Sequence, residues 1–201
     1  MDGTLARAGS PIDPTILAAL RDVADRGIQV VIATGRGWLT MRETARLLPT
    51  SAYLVLNNGA ATRAVADGRL IESREVPYTA ANQARLAFRS AGLPAIWIES
   101  ATSGYRYLVE GDWRTFTSYR LYLDPKGARV VHLAHPDLAP PPAQIFGLAP
   151  SDVGADLEHE LRNTLGDRAE IVVWRSRRLE SVGLEVLPPG APQAAPRPHP
   201  W

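Results

Sequence analysis

The first sixty residues alternate between amphipathic segments and short apolar runs. Residues 13–27 carry signals for both ends of a helix, with Asp13 as N-cap, Pro14 in the first helical position and Gly27 just past the end. Apolar residues at three- and four-residue spacing share one face of this segment: Ile16, Leu17, Leu20, Val23 and Ala24. The pattern predicts a helix that packs one face on a sheet.

The next apolar segments read as strands. Residues 28–33 form a nearly continuous apolar run, which predicts a strand buried on both faces of a parallel sheet. A second helix is expected at 39–48 and a second strand at 53–56. This alternation is typical of a doubly wound α/β domain.

From residue 61 onward, strand-like stretches crowd together and helices become fewer. Strands are predicted at 95–99, 105–110, 129–134, 144–148, 171–176 and 184–187, and helices at 79–91 and 151–165. This pattern predicts an α+β module with a mostly antiparallel sheet and helices on one face. Residues 188–201 are rich in proline and predict an extended or disordered tail. The expected organisation is therefore 1–60, 61–187 and 188–201.

Charge and composition narrow the classes of partner. The chain has 201 residues and a net charge of +1, from 22 basic and 21 acidic residues, so no overall field attracts nucleic acid or an anionic membrane. The sequence shows neither a membrane-spanning apolar run nor the apolar core of a signal peptide, and we expect a cytoplasmic protein. The absence of cysteine excludes disulfides, thiolate zinc sites and cysteine nucleophiles. The oligomeric state stays open.

Polar turns follow both predicted strands of the first region. Thr34-Gly35-Arg36-Gly37 ends the first apolar run, and Asn57-Asn58-Gly59 ends the second. In α/β sheets, ligands bind beyond the carboxyl ends of the strands, where loops and helix N-termini present backbone N–H groups. By themselves, Thr34 could be an ordinary helix N-cap and the Asn-Asn-Gly segment an ordinary turn.

Three short motifs, in this order and spacing, carry a family resemblance. They are Asp2-Gly3-Thr4-Leu5, Thr34-Gly35-Arg36 and Asn58-Gly59-Ala60, and the later strand-like segment Leu184-Glu185-Val186-Leu187-Pro188 agrees with them. Over about residues 1–190 the chain resembles the haloacid dehalogenase-like (HAD) phosphatases, and more narrowly their Cof-type branch. The resemblance implies a HAD-like Rossmannoid core of α/β class with an inserted α+β Cof-type cap.

The resemblance also implies a mechanism and a set of site residues. Asp2 matches the family's second carboxylate, which exchanges protons with the leaving oxygen and the attacking water and contributes to a Mg²⁺ site. The implied substrate-binding residues are Gly3, Thr4, Thr34, Gly35, Arg36 and Asn58. Thr34 is implied to hold a phosphoryl oxygen with its hydroxyl, together with the N–H of Gly35.

The sequence departs from the family pattern in three respects. The nucleophilic Asp would precede Met1, the family's lysine would fall near Gln193, and the later acidic metal loop is missing. We therefore expect an incomplete core that lacks its first strand and C-terminal part, and no significant turnover by this chain. Either the reading frame was assigned too short, or the chain is a degenerate homologue.

Two functions follow as hypotheses. The first is Mg²⁺-dependent hydrolysis of a small phosphomonoester, such as a sugar phosphate or a phosphorylated cofactor. The alternative is a non-catalytic ligand-binding or regulatory module on a phosphatase scaffold. Both require the turns that begin at Asp2 and Thr34 to face one anion pocket.

Overall fold

The computed structural model describes residues 4–6 and 11–191, and its internal contacts divide the chain into two units, Met1–Ser73 and Arg74–Trp201. Within the described residues, no helix combines the length and the apolar character needed to cross a membrane.

The first unit begins with helix α1, Pro14–Asp25. The Asp13 carboxylate accepts hydrogen bonds from the Thr15 backbone N–H at 2.8 Å and from the Thr15 hydroxyl at 2.6 Å. These bonds satisfy one of the N–H groups that the first turn of a helix leaves without a partner. Gly27 follows the helix with φ +77°, a conformation that glycine adopts without strain. Both helix boundaries predicted from the sequence are therefore confirmed.

A four-stranded sheet completes this unit. After α1 the unit contains β1 (Val31–Ala33), α2 (Trp38–Ala45), β2 (Tyr53–Leu56), β3 (Ala61–Ala64) and β4 (Leu70–Ser73). The strand order is β1-β2-β3-β4, with β1 parallel to β2 and the remaining pairs antiparallel.

Two predictions for this region need correction. Burial along β1 alternates, since Ile32 is 6% exposed and Val31 is 53% exposed, so the prediction of a strand buried on both faces is wrong. Strands β3 and β4 fold back on β2 in antiparallel register, with Leu56 opposite Ala61. They pair with the first sheet, and the division between the units falls after Ser73 instead of after residue 60.

The second unit is built on a six-stranded sheet. Its elements are α3 (Tyr78–Ser90), β5 (Ala95–Glu99), β6 (Tyr107–Glu110), α4 (Thr117–Leu123), β7 (Val130–His132), β8 (Pro142–Ala149), α5 (Ser151–Leu165), β9 (Glu170–Ser176) and β10 (Ser181–Leu187). The strand order is β7-β6-β5-β8-β10-β9, and every pair is antiparallel except β6 with β7. The mostly antiparallel α+β module is as predicted.

Hydrophobic cores cover both faces of this second sheet. Trp97 belongs to the core that includes buried residues of α3 and α5, whereas its neighbours Ile96 and Ile98 belong to a core that includes residues of α4. Successive side chains of a strand point to opposite faces, so α4 lies across the sheet from α3 and α5. The prediction of helices on one face is therefore wrong, because the short aromatic helix α4 packs on the other face.

Residues after β10 begin with a turn. The Ala191 N–H bonds to the Pro188 carbonyl at 3.1 Å, and the Arg74 guanidinium donates to the Gly190 carbonyl at 2.8 Å. The first residues of the predicted tail are thus fixed to the second unit. The rest of that tail, residues 192–201, lies outside the described residues.

Candidate functional site

The turn after β1 is organised by the Thr34 side chain. The Thr34 N–H bonds to the Val55 carbonyl of β2 at 2.9 Å, which extends the parallel pairing to the end of the strand. The Thr34 hydroxyl oxygen accepts a bond from the Arg36 N–H at 3.2 Å. Among the described residues the hydroxyl donates to no group, so its proton can be donated to an oxygen atom outside the chain.

The turn after β2 is hydrogen-bonded to the Thr34 turn. Asn57 and Asn58 adopt left-handed conformations, with φ 48° and φ 54°, which asparagine tolerates better than most residues. Their backbone N–H groups donate to the carbonyls of Arg36 at 3.1 Å and Thr34 at 3.3 Å, respectively. The two turns therefore form one unit at the carboxyl end of β1 and β2.

Both glycines of the first turn make room for an asparagine amide. A Cβ atom on Gly35 would lie 2.8 Å from Asn58 Oδ1, and one on Gly37 would lie 2.9 Å from Asn57 Oδ1. Neither glycine has a left-handed φ, so the requirement for glycine is one of space. The sequence Thr-Gly-Arg-Gly thus fits the left-handed asparagine pair that faces it.

Helix α2 starts beside this turn with N–H groups that no side chain caps. Gly37 is the N-cap of α2, and its position has no side-chain cap hydrogen bond. The alternative that Thr34 is the helix N-cap is therefore wrong. Gly35 is exposed, and its N–H has no hydrogen-bond partner within the described part of the chain. Unpaired N–H groups at a helix N-terminus, with the aligned peptide dipoles behind them, favour an anion.

The first residue of α2 packs against an arginine and a glycine. The Arg63 guanidinium lies over the Trp38 ring, 5.0 Å from its centroid, and donates to the Gly68 carbonyl at 2.6 Å. A Cβ on Gly68 would come within 2.9 Å of the Trp38 ring. These contacts fix the start of α2, and with it the turn that precedes the helix.

Part of the predicted site lies outside the described residues. Asp2 and Gly3 are not among them, and Thr4 is an exposed residue in a turn. The shared pocket for Asp2 and Thr34 therefore stays a prediction. The residues that the structure does bring together are Thr34, Gly35, Arg36 and Asn58.

Magnesium requires oxygen ligands, usually carboxylates. Residues 4–6 and 11–191 contain no group of three or more histidine or acidic side chains that could hold a metal ion. These residues alone do not fit a Mg²⁺ site.

Two neighbouring residues of this site, Asn57 and Gly37, were not among the site residues that the family resemblance implied. Asn57 is 5% exposed and occupies the space beside Gly37, but it reads from sequence as an ordinary turn residue. The available signal was the pairing of two consecutive asparagines after one strand with two glycines after its neighbour.

The chain is similar to known proteins over most of its length. The family model described as haloacid dehalogenase-like hydrolase matches residues 1–121, which is more than half of the chain. Of the solved structures, a haloacid dehalogenase-like hydrolase from Bacteroides thetaiotaomicron superposes with a TM-score of 0.70 at 19% sequence identity, over 94% of this chain and 69% of that one.

Curated relatives are similar over different spans. The 5-amino-6-(5-phospho-D-ribitylamino)uracil phosphatase of Bacillus subtilis (strain 168) is 42% identical over 60 residues, which are 30% of this chain and 24% of that protein. The HMP-PP phosphatase of Cronobacter sakazakii is 28% identical over 199 residues, which are 97% of this chain and 67% of that protein. The matches thus span about a quarter and two thirds of these relatives. With the family model over most of its length, the chain belongs to the haloacid dehalogenase-like hydrolase family, in its Cof-type branch.

Proposed function

We propose that the paired turns at the carboxyl end of β1 and β2 bind the phosphoryl group of a small phosphomonoester and form part of a phosphatase site. The observation that carries this proposal is the Thr34 turn. Within the residues that the structure describes, it combines a hydroxyl that donates to no other group, a Gly35 N–H without a hydrogen-bond partner and a start of α2 that no side chain caps. All three features favour an oxyanion at one edge of the sheet.

The proposed role of these residues is to position the phosphoryl group and to stabilise its charge. The Thr34 hydroxyl donates to one phosphoryl oxygen, and the Gly35 N–H donates to the same group. Donors that are fixed before the ligand arrives need little reorganisation during phosphoryl transfer. The bonds from Asn57 and Asn58 to the turn carbonyls provide this rigidity.

Arg36 and Asp2 complete the proposed site. Arg36 adds a positive charge to the same turn, and its carbonyl is held by the Asn57 N–H. We assign proton transfer to Asp2 from its place in the Asp2-Gly3-Thr4 motif, as the family resemblance implies. Gly3 and Thr4 are proposed to contribute to the same phosphate-binding turn.

The substrate class is proposed from the relatives. The Bacillus subtilis and Cronobacter sakazakii proteins are named as phosphatases of a phosphorylated ribitylamino-uracil and of HMP-PP. By analogy we propose a small phosphorylated metabolite, such as a sugar phosphate or a phosphorylated cofactor, as the ligand of this chain.

A non-catalytic binding function is the second candidate. The family pattern neutralises the transferred phosphoryl group with a lysine, and the single lysine of this sequence is Lys126, which belongs to the second unit. The paired turns can bind a phosphate ester without that lysine, but hydrolysis loses a charged group that stabilises the transition state.

One assay separates these functions. The purified chain is incubated with a panel of phosphate esters and Mg²⁺, and both ester binding and phosphate release are measured for wild type, Thr34→Val and Thr34→Ser. Thr34→Ser keeps the hydroxyl and serves as the matched control. Binding that Thr34→Val weakens about tenfold supports the site, since a hydrogen bond to a charged group contributes on that order.

The three outcomes have different meanings. Release of phosphate that Asp2→Asn abolishes identifies a phosphatase and contradicts the expectation of no significant turnover. Thr34-dependent binding without release identifies the non-catalytic module. Equal ester binding by wild type and Thr34→Val overturns both functions.

A further inference from the structure

The only lysine of the sequence lies against two tyrosine rings of the second unit. The Lys126 ammonium is 5.0 Å from the centroid of the Tyr122 ring and 5.5 Å from that of Tyr107. A cation at such distances is attracted by the negative face of an aromatic ring. Two rings therefore attract the same ammonium.

A second cation shares one of these rings. The Arg129 guanidinium lies 5.9 Å from the centroid of the Tyr107 ring. Neither Lys126 nor Arg129 forms an ion pair with a carboxylate of residues 4–6 and 11–191. Two neighbouring like charges repel each other, and an oxyanion between them relieves that repulsion.

The acidic side chains around this cluster have other partners. Asp124 pairs with Arg120 at 4.0 Å, and Glu185 accepts a hydrogen bond from the Trp174 ring N–H at 2.8 Å. The negative charge of Glu185 contributes to the raised pKa of Tyr122, although burial is the larger cause. Among the described acidic residues, none therefore compensates the positive charge of Lys126 and Arg129 by a direct ion pair.

Burial strengthens the effect of this charge. Lys126, Arg129 and both rings are half-buried, which reduces the screening that water provides. Burial and, secondarily, the charge of Arg129 lower the pKa of the Lys126 ammonium. Binding of an anion beside the Lys126 ammonium is favourable, because the anion stabilises the charged form of the lysine.

We propose that Lys126 and Arg129, held by Tyr107 and Tyr122, form an oxyanion site of the second unit that binds the phosphate group of a small metabolite. Tyr107 lies on β6, and Tyr122 on α4 packs edge-on against Phe146 of β8, with ring centroids 4.8 Å apart. The site is thus anchored on the α4 face of the six-stranded sheet. Phosphate suits it because a doubly charged oxyanion can bond to two cations at once.

The single lysine provides a direct probe. Reductive methylation with ¹³C-formaldehyde labels Lys126 and the N-terminus and keeps both charges, so the full-length protein shows one labelled side chain. Its NMR signal is followed during titration with inorganic phosphate and, in parallel, with chloride at equal ionic strength. We expect the Lys126 signal to shift saturably with phosphate and not with chloride. We also expect the pKa of Lys126 to be higher when phosphate is bound.

Variants test the geometry of the site. Arg129→Gln is expected to weaken phosphate binding at Lys126 about tenfold, the effect of one charge-assisted hydrogen bond. Arg129→Lys keeps the positive charge and is expected to retain most of the binding. The matched control is Arg114→Gln, since Arg114 lies 4.5 Å from the centroid of the Trp113 ring in the same unit but outside this cluster.

Two results overturn the proposal. One is an identical response of the Lys126 signal to phosphate and chloride. The other is equal weakening by Arg129→Gln and Arg114→Gln in variants whose proton spectra show native folding. Thr34→Val, which acts in the first unit, is expected to leave the Lys126 response unchanged, so failure of the proposed phosphatase site is distinguishable from failure of this one.

Discussion

Glycines in the two units make room for different neighbours. In the first unit, a Cβ on Gly35 would lie 2.8 Å from the Asn58 amide oxygen, at an exposed edge of the sheet. In the second unit, a Cβ on Gly147 would lie 2.6 Å from the ring of Phe88, which is fully buried. The first close approach is polar and accessible to ligands, whereas the second is apolar and closed to water.

The close approach in the first unit concerns ligand binding, and the close approach in the second unit concerns stability. A side chain added at the exposed turn displaces a polar group that can move into solvent, so the main loss is the geometry of the anion site. A side chain added in the buried core has no free space to enter, since protein interiors are close-packed. The comparison therefore predicts that substitutions in the two units affect different measurements.

The largest expected effect is at Gly147. Gly147→Ala forces the Phe88 ring to move within a filled core, and overpacking of this kind costs about 3 kcal/mol of unfolding free energy. Urea unfolding measures this loss. Gly183→Ala is the informative comparison, because Trp174, which overlaps the position of its Cβ, is half-buried, so the ring has solvent beside it and can yield at the cost of its hydrogen bond to Glu185. A smaller loss for Gly183→Ala is expected, and an equal loss contradicts the packing argument.

The next effect concerns a buried hydroxyl. The Tyr119 hydroxyl donates to the Pro94 carbonyl at 2.7 Å and accepts from the Leu148 N–H at 2.9 Å, while the residue is fully buried. Tyr119→Phe leaves both groups without this partner, at a cost of about 2 kcal/mol in the free energy of unfolding. Burial also raises the pKa of the Tyr119 hydroxyl, which stays neutral at ordinary pH.

The control for this prediction is Tyr53→Phe. The Tyr53 hydroxyl has no hydrogen-bond partner among the residues that the structure describes. Its removal is expected to change the urea midpoint very little. If Tyr119→Phe and Tyr53→Phe lose equal stability, the two hydrogen bonds of the Tyr119 hydroxyl do not contribute to the free energy of unfolding.

The next effect, at Gly35, concerns phosphate affinity more than stability. Gly35→Ala places a methyl group against the Asn58 amide, and the amide must shift away from the turn. We expect a stability change within about 1 kcal/mol, as for a surface substitution, and a roughly tenfold loss of phosphate affinity. Calorimetric titration with phosphate measures the affinity. Unchanged affinity in a folded variant shows that the turn does not contact the anion.

The smallest effect is a pH-dependent cap. Hydrogen bonds from the Thr15 side chain and then from its backbone lower the pKa of Asp13. The carboxylate therefore stabilises the fold at pH values above the ordinary Asp pKa, and this contribution is lost as the pH falls through the lowered value. Asp13→Ala should reduce Tm slightly at neutral pH and less in acid. Asp13→Asn, which keeps an acceptor oxygen, should show little of this pH dependence.

The sequence predicted the elements whose signals are local. Helix α1 has its own cap and stop residues, and β2 and α5 were predicted with the bounds that the structure shows. Strands β3 and β4 were missed because four-residue segments are identified by their pairing with β2, which no local pattern encodes. Helix α4 was missed because its seven residues are too few for a clear period.

The candidate site shows the same limit. Thr34 was placed at the ligand-binding edge from the strand ends, since the carboxyl ends of parallel strands share one edge of a sheet. Gly35, Arg36 and Asn58 were assigned because the family resemblance implies them. The bonds between the two turns depend on left-handed φ angles at Asn57 and Asn58. The tertiary fold decides which local backbone minimum each asparagine adopts, so the sequence alone could not predict the left-handed φ angles.

The NMR signal of the Gly35 amide gives the most direct test of whether the paired turns bind a phosphoryl group. In ¹⁵N-labelled protein titrated with inorganic phosphate, we predict a saturable shift of the Gly35 N–H signal that Thr34→Val weakens about tenfold and Thr34→Ser largely preserves. A Gly35 signal that does not respond while phosphate binds elsewhere on the protein would contradict the assignment of the paired turns as the phosphoryl site.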